Sequence, residues 1–132
     1  MAFYIVTMSH PDGPEWNRHV AEHVEYLLEL VEKEKLKASG PLKGSPLRSG
    51  FLIIVANSRT EVEALIEEDP FSREKLIVSL SIEEWDPLFG VFGEESSRTL
   101  PPDLNAIAEK LGYAWGRLPG ADPRDPDLGR TM

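Results

Sequence analysis

Apolar residues run unbroken from Phe3 to Val6 and again from Phe51 to Ala56, and between these runs they recur three and four positions apart. Residues 3–8 (Phe-Tyr-Ile-Val-Thr-Met) are β-branched and aromatic and predict an opening strand. Ser9 to Pro14 reads as a loop, in which Asp12 and Glu15 have the spacing of a helix capping box. From Glu15 to about Lys35 the period is helical. Trp16, Val20, Val24, Leu27 and Val31 form one stripe, with Leu28 and Leu30 at its margins. Arg18, Glu22, Glu25, Glu29 and Glu32 make the opposite, solvated face.

Leu36 to Ser39 predicts a short strand closed by Gly40-Pro41, and residues 42–50 read as a flexible connection. Phe51 to Ala56 is too short for a helix and offers no polar alternation, so it predicts a central strand buried on both faces. Ser58 and Glu61 form a second capping box ahead of Val62, Leu65 and Ile66. That helix must stop near Glu68, because Pro70 disfavours helical geometry at Asp69. Leu76, Val78, Leu80 and Ile82 then alternate as the buried face of a last strand. The order β-α-β-β-α-β predicts an α+β, ferredoxin-like domain over residues 1–92, with an antiparallel sheet and both helices on one face. A second subunit packed sheet to sheet would cover the other face. Residues 93–132 read as an extension: a helix from Asp103 to Leu111, an arm docked through Leu104, Leu111, Tyr113 and Trp115, and disordered coil from Asp122 to Met132.

Composition narrows the chemistry. The chain has 132 residues and no cysteine, which suits one domain of ordinary size and excludes disulfides and thiol nucleophiles. Its 23 acidic against 14 basic residues give a net charge of −9, which opposes a nucleic-acid backbone. No signal peptide or membrane-length apolar run is present, so the expected compartment is the cytoplasm. Gly40, Gly44 and Gly50 make no phosphate cradle ahead of a helix, and nothing calls for a cofactor.

One residue breaks the helical pattern. His23 places an ionisable ring within the apolar stripe of the first helix, and the acidic turn Asp69-Pro70-Phe71 follows the second helix. If the fold joins them, a carboxylate on one ring nitrogen fixes the tautomer and leaves the other nitrogen for proton transfer. If it does not, His23 is a core histidine and Asp69 holds a turn. His19, four residues earlier, can turn the same way. A metal would then need His19 and His23 with Glu15, Glu22, Asp69 or His10, but the HExxH order is absent, which favours a polar edge role for His19. His10 ends the first strand, either in an exposed loop or on a pocket rim. Trp16 and Phe71 read as packing residues with the alternative of touching a ligand, and Ser39 can offer a hydroxyl.

The segment from His23 through Gly40-Pro41, the turn Asp69-Pro70-Phe71 and the closing Ile82-Glu83-Glu84-Trp85 resemble the YCII-related (YciI-like) family over roughly residues 3–90. The resemblance implies ferredoxin-like subunits that join through their sheets into a dimeric α/β barrel. It also implies a pocket between helices and sheet in which His23 and Asp69 are the acid–base pair, with Gly40-Pro41 ending the second strand. One relative resembles a dehydrochlorinase of a chlorinated aromatic diol, and the fold resembles muconolactone isomerase. This chain departs in Trp16, His19 and its C-terminal arm. The expectation is thus a homodimeric, cofactor-independent enzyme performing isomerase, lyase or dehydrochlorinase-like chemistry on a small cyclic or aromatic substrate. His10, Trp16, His19, Ser39 and Phe71 would shape its pocket. The alternative is a non-catalytic ligand-binding or oligomeric accessory protein.

Overall fold

The first strand runs further than the sequence pattern predicts, because Ala2, Ser9 and His10 at its ends are paired in the sheet. β1 spans Ala2–His10, and α1 follows over Pro14–Glu32 with Gly13 as its N-cap and Pro14 in its first turn. The computed structural model describes residues 1–11, 13–97 and 99. The N-cap is thus Gly13, with no side-chain cap bond, rather than the expected Asp12 of a capping box; Asp12 itself, the helix expected over 103–111, the arm through Tyr113 and Trp115, and the coil from 122 lie outside the described residues. The chain divides into two compact units, Met1–Trp85 and Asp86–Met132. In the second, the Asp86 carboxylate accepts from the Ser97 amide at 2.8 Å and the Ser97 hydroxyl at 2.7 Å, around a 3₁₀ turn at Gly93–Glu95.

α1 ends three residues before Lys35, and a backbone motif explains where. Lys35 N–H donates to the Leu30 carbonyl at 2.9 Å and Glu34 N–H to Val31 at 3.0 Å, the two bonds of a Schellman stop. Glu34 takes the left-handed conformation (φ 61°) that glycine usually supplies there, so the stop leaves no glycine signal in the sequence. β2 (Leu36–Leu42) then runs straight across Gly40-Pro41, and β3 (Arg48–Ala56) begins inside the stretch expected to be loop. α2 (Arg59–Glu67) starts at the expected box. The Ser58 hydroxyl accepts from Glu61 N–H at 3.2 Å, while the Glu61 carboxylate reaches back to Asn57 N–H at 2.8 Å and takes Lys35 Nζ at 2.9 Å.

α3 (Pro70–Arg73), a single turn, was not expected, and β4 (Ser79–Trp85) starts three residues later than the alternation suggested. Leu76 and Ile82 are buried, but Val78 is 62% and Leu80 45% exposed. Leu76 closes the turn after α3 rather than entering the sheet, its N–H bonded to the Phe71 carbonyl at 2.8 Å.

The strands form one antiparallel sheet in the order β2-β3-β1-β4. One face carries Tyr4, Val6, Met8, Leu52, Ile54 and Ile82, which pack with Leu30 of α1 and with Val62 and Ile66 of α2. On the opposite face Phe3, Ile53 and Val55 are buried as well, as expected for a central β3. The architecture is α+β with an antiparallel sheet and helices. The expected α/β barrel is not formed. The sheet is open, with β2 and β4 at its edges, and four strands are too few to close around a filled interior.

Candidate active site

Two local rules place the acidic member of the site. α2 ends at Glu67 with Glu68 as its C-cap, and Pro70 holds the preceding Asp69 in an extended conformation (φ −63°, ψ 132°) as the N-cap of α3. Asp69 Oδ1 accepts from the Phe71 amide at 2.9 Å. Packing of α3 against α1 then brings His23 over this cap. His23 Nδ1 stands 2.9 Å from both Asp69 oxygens, with the carboxylate 1% and the imidazole 14% exposed. A carboxylate only accepts, so the proton of a neutral His23 sits on Nδ1 and Nε2 keeps its lone pair. Phe71 stacks beneath the ring, centroids 4.1 Å apart and planes within 10°, which fixes its orientation.

Beside this pair a cavity of about 370 Å³ opens between α1 and the ends of β1, β2 and β3. His10, Trp16, His23, Ser39 and Phe71 all line it. His10 is the buried last residue of β1, not part of an exposed loop, and its ring lies 4.8 Å from Phe71 and 6.2 Å from Trp16. Gly50 leaves part of the room. A Cβ built there would meet only Met8 Cγ, at 4.0 Å. Among the described residues, none that lines the cavity carries a carboxylate.

His19 is placed elsewhere. Its Nε2 lies 3.8 Å from Glu15 and 3.6 Å from Glu74, and it is not among the lining residues. No group of three or more His, Asp or Glu among the described residues is arranged to hold a metal ion.

Arg48 escaped the sequence reading. It opens β3 opposite His10, lines the cavity and sets its guanidinium 3.8 Å over the Trp16 ring. A cation beside a hydrophobic run was the available signal, but residues 42–50 read as loop. Tyr26, one turn after His23, donates its hydroxyl to the Leu65 carbonyl at 2.6 Å and ties α1 to α2. Burial first, then the nearby Glu68, Asp69 and Glu29 charges, push its phenol up to about 12.

The family model of the YCII-related domain matches residues 1–86. No curated protein matches the chain. A solved structure of a 5-chloro-2-hydroxyhydroquinone dehydrochlorinase from Burkholderia phenoliruptrix AC1100, in complex with 2,5-dihydroxybenzoquinone, is similar in fold. The two share 23% identity at a TM-score of 0.50, over 66% of this chain and 95% of that one. A protein from Arabidopsis thaliana shares 16% identity over 66% of this chain and 95% of its own, at a TM-score of 0.37 that carries no argument. No helix among the described residues is long and apolar enough to cross a membrane.

Proposed function

The chain belongs to the YCII-related family, and from that premise we propose that it is a small acid–base enzyme, working without a cofactor on a compact cyclic or aromatic molecule. The observation that carries this reading is the buried Asp69 carboxylate 2.9 Å from His23 Nδ1, with His23 itself in a cavity wall. Asp69 holds the proton on Nδ1, so Nε2 takes a proton from substrate. Returning it at another atom gives isomerisation, and losing a leaving group from the carbanion gives elimination. Phe71 and the apolar wall exclude water and strengthen the pair electrostatically. The ring-shaped ligand of the Burkholderia enzyme supports a cyclic substrate. Exposed Val24, Leu28 and Val31 along α1 support a homodimer, for which sedimentation should give twice the chain mass.

Screening a panel of cyclic diols and lactones tests the reaction. Turnover should fall about 100- to 10,000-fold in His23→Ala. In Asp69→Asn the amide can donate to Nδ1 and move the ring proton to Nε2, so turnover should fall while imidazole ¹⁵N shifts report the other tautomer. Gly50→Leu should block the cavity and abolish ligand binding with little change in melting temperature. Retained turnover in His23→Ala would sink the acid–base reading. Binding without turnover of any panel member would favour the non-catalytic alternative.

A further inference from the structure

We propose that the substrate is amphiphilic, a ring bearing an aliphatic chain, and that the chain lies along α1 against Val24 and Leu27 while the ring sits at His23. This deepens the acid–base reading by naming the substrate class, and it rests on that reading in placing the reacting ring at His23. Size comes first. The cavity holds about 370 Å³, whereas one of about 150 Å³ accommodates benzene. A bare ring therefore leaves more than half of the space unfilled, and a void forfeits the dispersion contacts of the side chains around it. The α1 residues in the wall run from Trp16 to Leu27, three turns and about 16 Å along the helix axis.

The lining is also divided in character. His10, Trp16, His23 and Arg48 gather round Phe71: the two imidazoles and the indole lie against its ring, and the guanidinium lies over the indole. Apart from the hydroxyls of Ser39 and Ser49, the other lining side chains are apolar. Exposure gives the direction. Phe71 and the Asp69 carboxylate behind His23 are buried, whereas Val24 on α1 and Leu42 on the edge strand β2 are exposed. The cavity thus leads from a closed aromatic end, which holds the proton-transfer pair, to an aliphatic mouth at the edge of the sheet. An aliphatic chain laid across that mouth takes apolar surface out of water on both sides of the contact. Leu28 and Val31 continue the exposed stripe of α1 but do not line the cavity, which leaves them for the homodimer contact.

Calorimetric titration of the full chain with resorcinol and its 4-ethyl, 4-butyl and 4-hexyl derivatives tests the assignment. Each methylene taken from water should tighten binding about 3- to 4-fold, so the hexyl compound should bind at least about 100-fold more tightly than the parent. Val24→Asp should flatten the series. Val24→Thr, which keeps the shape and replaces one methyl by a hydroxyl, should reduce the increment per methylene and guards against a folding defect in the first variant. Leu28→Asp, one turn on and outside the cavity, should keep the wild-type increments. His23→Ala should lose turnover yet keep the increments too, so failure of the acid–base reading and failure of this one are distinguishable. A wild-type affinity that does not rise with chain length overturns the proposal, and so does binding of no member of the series. Increments that survive both Val24 variants, or that Leu28→Asp abolishes, would put the chain outside the cavity and overturn it as well.

Discussion

Because Asp69 Oδ1 accepts from the Phe71 amide while both oxygens face His23 Nδ1, the carboxylate serves a helix cap and an imidazole at once. Asp69→Ala should therefore remove the cap on the Phe71 amide, worth about 1 kcal/mol, and leave the buried His23 Nδ1–H without an acceptor at a further cost of about 1 kcal/mol. A loss of about 2 kcal/mol in urea unfolding is expected, against about 1 kcal/mol for Asp69→Asn, which keeps an acceptor for the cap. Equal losses would mean that the polar network contributes little. His23 and Asp69 were legible in the sequence because each violates a local rule: a titratable ring on an apolar stripe, and an acid fixed by the proline after it. The two rival readings of Asp69 turn out not to compete, since one side chain does both. Arg48 was illegible because its role comes from register with His10 and from the approach of Trp16, and neither is local.

Between elements, Tyr26 is the hydroxyl that ties α1 to α2, and its raised phenol gives this contact a pH dependence. In the unfolded chain the phenol ionises near its ordinary 10.0, and in the folded chain at about 12. Between those values the folded state keeps a proton that the unfolded state has lost, so the contribution is complete below the lower value and is lost as pH rises towards the upper. Tyr26→Phe should cost about 1 kcal/mol at neutral pH. Its deficit relative to wild type should shrink as pH is raised through that window in denaturant titrations; a constant deficit would contradict the assignment. Element identity was readable from periodicity, and boundaries were read less well. The stop of α1 at Glu34 lacks its usual glycine, and the apolar alternation runs through Val78, ahead of β4, and Leu80, within that edge strand, although both are exposed. An alternating pattern marks which side chains share a face, not how far the facing layer extends.

At the scale of the whole molecule, hydrophobic pattern dictates the pairing of strands around the buried β3, but it does not dictate what happens at sheet edges. The barrel expected from resemblance is not formed: β2 and β4 end an open sheet, each with one edge unpaired in it, and four strands are too few to close around a filled interior.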